Sequence, residues 1–166
     1  MNMLYYQPGL VIAALWLAFA LSWIAAMLWS DHAAQRLGLG REILYRILLI
    51  VGGIALAIPA HGDNGPMRLW HVGLRGAWIC IALMVMGFAF AWWARIHLGR
   101  LWSGSITAKA DHRVVDSGPY GIVRHPIYTG ILLSILATMA AKGTIPAVAG
   151  ALLIVLGLWM KARLEE

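Results

Sequence analysis

The chain has 166 residues, enough for one domain, and is 61% hydrophobic and 12% charged, with a mean hydropathy of +0.77. Those values exclude an ordinary soluble domain. The net charge of +6 does not mark a nucleic-acid binder, because the basic residues form no continuous stripe and sit between apolar runs, and the single cysteine, Cys80, excludes an intramolecular disulfide or a Cys-based zinc cluster.

Spanning a bilayer takes roughly 20 apolar residues as a helix, since lipid offers no partner to backbone N–H and C=O groups. The first such segment covers residues 9–29. No Lys or Arg precedes it and no small-residue cleavage site follows, so it reads as retained rather than removed. A polar joint, Ser30-Asp31-His32 with Arg36 and Arg41, leads to a second segment over residues 43–60, with Arg46 near its start. Pro59 and the run His61-Gly62-Asp63-Asn64-Gly65-Pro66 end it.

A third segment covers residues 72–93, closing on Trp92-Trp93 as an interfacial aromatic pair. Residues 94–125 then form a connecting loop that holds the longest polar stretch in the chain, with Arg100, Lys109, Asp111, His112, Arg113, Asp116 and Arg124. A polar loop of that length in so small a membrane protein is a functional candidate. The apolar stretch of residues 127–160 is broken at Lys142-Gly143-Thr144, with Pro146 suited to the first turn of a following helix. Halves of about 15 residues reach roughly 22 Å, which predicts a short, tilted helical hairpin.

Placing residues 31–46, residues 94–125 and the C-terminus on one side collects Arg36, Arg41, Arg46, Arg95, Arg100, Lys109, Arg113, Arg124, Lys161 and Arg163, leaving Arg68, Arg75 and Lys142 opposite. The positive-inside bias then puts the N-terminus outside and the long loop and C-terminus in the cytoplasm. The sequence therefore predicts an all-α integral membrane protein, residues 1–166 as one membrane domain, with about five transmembrane helices, the last two forming the hairpin. Neither an internal repeat nor a metal-ligand cluster is evident. Gly53 to Ala57 and Gly150 to Ile154 give no paired GxxxG dimer face, and the oligomeric state stays open.

Three cytoplasmic features carry ionisable groups beside apolar helices: His112 to Val115, Ser117 to Gly130 (SGPYGIVRHPIYTG), and the terminal KARLEE of residues 161–166. Pro126 favours a helix start and holds His125 extended, so Arg124 and His125 stand at a helix N-terminus. The free N–H groups and partial positive charge there, with Arg124, suit a carboxylate or phosphate. Glu165 and Glu166 oppose the macrodipole of the helix they end, a local misfit that points to a task. Set against these, Arg124 equally serves as a topology-setting arginine, His125 as a helix cap, and Tyr120 and Tyr128 as interfacial aromatics.

SGPYGIVRHPIYTG, preceded by RIHLGRLWSGS and HRVVD and followed by KARLEE, resembles the isoprenylcysteine carboxyl methyltransferase family and the related phospholipid methyltransferases, over roughly residues 94–166. The resemblance implies a helical membrane enzyme, in a bacterium placed in the inner membrane, with a cytosolic pocket for S-adenosylmethionine and a lipophilic or prenylated acceptor entering from the bilayer. It implies cofactor contacts at Ser105, His112, Arg113, Val114, Val115, Tyr120, His125, Pro126, Ile127 and Tyr128, with Glu165 holding the cofactor's amino group. Lys161, or alternatively Arg163, falls near the acceptor's carboxylate. Arg124 suits the cofactor's carboxylate.

Carboxyl O-methylation of an isoprenylcysteine-like acceptor is the expected reaction. Attack by a carboxylate needs little proton transfer, so no general base is assigned, and Arg124 and His125 stand as catalytic candidates. For an amine or thiol acceptor, as in a phospholipid N-methyltransferase or a thiol S-methyltransferase on the same scaffold, His125 or His112 would serve as base. Relatives continue past the paired glutamates with an amphipathic stretch, whereas this sequence stops at Glu166, which implies a shortened or a minimal version. A nicotinamide-dependent membrane reductase and a non-enzymatic transporter are the more distant alternatives.

Overall fold

The computed structural model describes residues 7–27, 39–59, 67–99 and 116–165. Those residues form five α-helices and one short 3₁₀ turn: α1 (Gln7–Met27), α2 (Leu39–Ala57), α3 (Leu74–Leu98), the turn Gly118–Gly121, α4 (Pro126–Lys142) and α5 (Ile145–Glu165). Three of them, α1, α3 and α5, are long and apolar enough to cross a membrane. The 17 residues of α4 reach roughly 25 Å at the α-helical rise. Leucines and isoleucines such as Leu10, Leu17, Ile54, Ile79 and Leu152 are exposed on the outside of the bundle, where hydrocarbon is their natural solvent.

The helices pair across the chain. α3 packs on α4 and α2 packs on α5, while α4 and α5 touch far less. This corrects the expected short hairpin: the two helices follow each other through a tight turn, but each takes another helix as its main partner. The expected halves were also too short, because α5 runs for 21 residues through Lys161 and Arg163 to Glu165. α3 likewise continues through Arg95 and His97 to Leu98, so the start of the expected loop at residues 94–125 is helical. Burial accounts for that extension: Arg95 is fully enclosed, and its guanidinium donates to the Gly99 carbonyl at 2.6 Å and the Ala26 carbonyl at 2.8 Å.

Glycine sets both pairings. A Cβ on Gly150 would lie 2.6 Å from both the Gly52 carbonyl oxygen and the Leu56 nitrogen, and one on Gly87 would lie 2.5 Å from the Gly130 oxygen. The backbones themselves are in contact, the arrangement that lets helices associate in lipid, where no hydrophobic drive brings them together. Ser134 Oγ fastens the second crossing by donating across to the Met84 carbonyl at 2.9 Å. Of the small residues that gave no dimer face in sequence, Gly150 joins two helices within one chain, whereas Gly53 has nothing within 4 Å of its Cβ position.

α1 lies against α3 through aromatic contacts. Phe19 stacks on Phe88 at 4.3 Å between ring centroids, Trp23 meets Trp92 edge-on at 5.6 Å, and Trp16 Nε1 donates to Thr138 Oγ1 at 3.0 Å. Trp92 is therefore a packing residue, while its neighbour Trp93 is exposed. At one end of the bundle, Lys142 Nζ donates to the Leu56 carbonyl of α2 and to that of Ile58, just past the helix end. Gly143 closes α4 there in the left-handed conformation, φ 59°, and its carbonyl accepts from the Leu69 amide at 2.8 Å. Helix direction alternates from this end, so the C-termini of α1, α3 and α5 share the other end with the N-termini of α2 and α4.

Substituting leucine at Gly150 forces α2 and α5 apart, an overpacking that costs about 1–3 kcal/mol. Gly53, with nothing within 4 Å of its Cβ position, accepts alanine without loss. Thermal unfolding in detergent is expected to show a lowered midpoint for Gly150→Leu and an unchanged or slightly raised one for Gly53→Ala. Equal midpoints for the two variants contradict the crossing.

Candidate functional site

The end of the bundle opposite the Lys142 cap gathers its polar side chains around Glu165. α4 begins at Pro126, whose ring supplies the helical φ and whose missing N–H costs nothing at a first turn. His125 precedes it, its carbonyl accepting from the Thr129 amide at 3.0 Å. Two residues into the helix, Tyr128 projects toward the last turn of α5. Its hydroxyl donates to Glu165 Oε1 at 2.6 Å, a charge-assisted bond. His125 Nδ1 stands 3.9 Å from Glu165 Oε2, and its ring stacks on Tyr128 with centroids 5.4 Å apart. Lys161, one turn before Glu165, places Nζ 3.8 Å from Oε1 and 5.4 Å from the Tyr128 ring centroid. A carboxylate offers about four lone-pair sites, so Glu165 retains capacity for another donor.

A second aromatic pair lies beside this one. The turn Gly118–Gly121 carries Tyr120 onto His97 of α3, ring centroids 6.4 Å apart and nearly parallel, while His97 Nε2 lies 3.0 Å from Ser117 Oγ. Gly118 is required there. Its φ of 58° lies in the left-handed region, and a Cβ would sit 2.8 Å from the His97 ring. Burial, followed by the negative charge of Glu165, pushes the Tyr120 hydroxyl above the ordinary tyrosine range, with Arg95 pulling the other way. Tyr120 therefore feels the Glu165 charge although it sits on the Gly118–Gly121 turn, against α3.

Of the residues singled out in sequence, His125, Tyr128, Lys161 and Glu165 converge, and Tyr120 lies adjacent. Pro126 and Ile127 are buried. Arg163 instead lies over the Trp159 ring at 5.6 Å. Arg124 is exposed and has no ion pair among the described residues. Ser105, His112, Arg113, Val114, Val115 and Glu166 lie outside the described residues. Sequence reasoning missed His97, and on α2 it missed Glu42 and Tyr45, both buried near the same end. Glu42 four residues before Arg46 was a legible helical ion pair at the head of an apolar run.

Residues 80–166 match the model of the Isoprenylcysteine carboxyl methyltransferase (ICMT) family. The chain belongs to this family. The matched span takes in α3 from Cys80 onward, the Tyr120 turn, α4 and α5, and so contains His97, Tyr120, His125, Tyr128, Lys161 and Glu165. The family takes its name from carboxyl methyl transfer. The chain is also 36% identical over 67 residues to the cobalt-zinc-cadmium resistance protein CzcN of Cupriavidus metallidurans, a stretch that covers 40% of this chain and 30% of that protein. No solved structure matches.

The raised Tyr120 value has a consequence for stability. A tyrosine whose folded value exceeds its unfolded value of about 10 contributes stability fully below that pH. The contribution is lost as pH rises toward the folded value. Between pH 9 and pH 11 the wild-type protein is expected to lose more thermal stability than Tyr120→Phe. Identical pH profiles contradict the burial of this hydroxyl.

Proposed function

We propose that the protein is an S-adenosylmethionine-dependent methyltransferase that esterifies the carboxylate of a lipophilic, isoprenylcysteine-like acceptor at the cytosolic face of the membrane. The observation that carries this reading is the Glu165 carboxylate, held at a helix end by Tyr128 and bordered by Lys161 and two aromatic pairs. An acidic group with unfilled lone pairs matches the donor's ammonium. The first-turn amides of α4 suit its carboxylate, a task the exposed Arg124 shares only if it turns inward. The His97–Tyr120 and His125–Tyr128 stacks offer flat apolar faces for the adenine and for the sulfonium.

When bound, S-adenosylmethionine supplies an electrophilic methyl group that is taken by in-line displacement. The protein's part is positional. Lys161 attracts the acceptor's carboxylate to the side of Tyr128 that faces α5, and Tyr128 fixes Glu165 so that both reactants are oriented by one hydrogen-bonded unit. Because passing a methyl group from a sulfonium to a carboxylate, with the sulfur leaving as a neutral thioether, would neutralise charge, alignment and exclusion of water provide the acceleration. No proton must be removed, so His125 orients and does not act as base. The positive-inside distribution favours the cytoplasm for this end, and a bacterial inner membrane fits the same orientation.

Losing one charge-assisted contact to an ammonium corresponds to roughly a 10- to 100-fold change in affinity. Glu165→Ala is therefore expected to weaken S-adenosylhomocysteine binding by that factor in calorimetry on detergent-purified protein, with helicity retained. Unchanged affinity removes Glu165 from the cofactor site.

A further inference from the structure

His97, in the last turn of α3, is exposed, so burial does not dictate where its ring lies. A histidine at a helix C-terminus ordinarily serves the macrodipole and the last carbonyls. Arg95 already does so here, donating to the Gly99 carbonyl at 2.6 Å. The His97 ring lies instead on the turn that carries Tyr120. Its Nε2 is 3.0 Å from Ser117 Oγ, and its face is nearly parallel to the Tyr120 ring. Three of its ring atoms lie 2.8, 3.0 and 3.1 Å from the Cβ position of Gly118, an approach that any side chain there would block.

Three contacts from one ring to three of four consecutive residues matter because of what Tyr120 rides on. Tyr128, Lys161 and Glu165 sit on α-helices, whereas Tyr120 sits on a four-residue 3₁₀ turn. The Tyr120 amide donates to the Ser117 carbonyl, and the Ile122 and Val123 amides donate to the Pro119 carbonyl, each at 3.2 Å, the long end of the usual range. A 3₁₀ turn of that length has poor hydrogen-bond geometry and holds little by itself. Buried Pro119 anchors the backbone of the turn but leaves the Tyr120 ring its own side-chain torsions. His97 restricts them from α3, its edge on Ser117 and its face along Tyr120. A ring already held in its bound orientation loses less freedom when a ligand arrives.

We propose that His97 is a positioning residue for the methyl donor: it backs Tyr120 and holds that ring in the orientation in which it flanks the Glu165 site. Tyr120 presents its face to the donor, and His97 acts on the donor only through Tyr120. This role rests on the donor reading of Glu165 and Tyr120 and deepens it, because it gives the end of α3 control over donor affinity. Ser117 and Gly118 share the role, one as the partner of the imidazole edge and the other by its missing side chain.

The test is a double-mutant cycle on the full chain in detergent, with S-adenosylhomocysteine binding measured by calorimetry and thermal midpoints recorded alongside. Loss of one aromatic contact corresponds to about a three- to tenfold change in affinity. His97→Ala is expected to weaken binding to that extent while keeping the wild-type midpoint, and Tyr120→Leu to weaken it at least as much. The double variant should bind no more weakly than Tyr120→Leu alone, since a residue that acts through Tyr120 has nothing left to act on. His97→Phe, which keeps a flat ring, is expected to recover binding that His97→Ala loses. Should Tyr120→Leu not fold, the comparison of His97→Phe with His97→Ala decides. Equal penalties from His97→Ala in both backgrounds, unchanged affinity in His97→Ala or in Tyr120→Leu, or a His97→Phe as weak as His97→Ala overturns the role of His97 and leaves Glu165 in place. Failure of wild type to bind S-adenosylhomocysteine overturns the donor reading itself, and this role with it.

Discussion

Backbone contact at the glycine crossings is the constraint on which the rest of the molecule depends. Inside hydrocarbon, apolar side chains gain nothing by meeting each other rather than lipid, so helix pairs form only where packing and hydrogen bonds exceed what lipid contacts provide. Gly52 with Gly150 and Gly87 with Gly130 bring two pairs of helices to atomic contact. At that separation dispersion acts along whole helix faces, each atom pair adding only about 0.1–0.2 kcal/mol. Ser134 and Thr138 add hydrogen bonds into α3 at the same crossing.

The two pairs meet at their ends, and the ends differ in character. At one end Lys142 caps α2 and the Gly143 turn binds Leu69, contacts between charged or polar groups and backbone that close the fold and leave little chemical capacity. At the other, the contacts run between side chains of different pairs: Tyr128 from the α3–α4 pair donates to Glu165 from the α2–α5 pair. A group that is held by one helix pair and faces another is well placed to respond to a ligand seated between them. The cluster is thus a consequence of how the pairs are joined, and α2 reaches that end of the bundle because it packs on α5.

Hydropathy located the helices of the described residues, because apolar runs bounded by Pro, Gly and charges are a local signal. It placed the ends less well where charged residues are helical. Arg95 and His97 look like loop, yet α3 continues because the Arg95 guanidinium finds two carbonyls inside the bundle. Arg41 and Glu42 similarly lie within α2 although they precede the apolar run. Which helices pair was not legible, since a glycine reads the same whether its partner is lipid, a second chain or a helix a hundred residues away. In the site, the RHPxYxG run and the terminal KARLEE pointed to His125, Tyr128, Lys161 and Glu165, because those residues carry a local pattern. His97 joins the cluster only through tertiary packing, and Arg124, grouped with it by its place in sequence, is exposed.

The central claim is that the start of α4 and the end of α5 form one binding unit although they belong to different helix pairs. Amide hydrogen exchange with and without S-adenosylhomocysteine measures this most directly. The account predicts that the ligand slows exchange together in the first turn of α4, around Tyr128, and in the last turn of α5, around Glu165, with the α2–α5 crossing at Gly150 unchanged. Protection confined to one of the two helix ends, or absent from both, contradicts it.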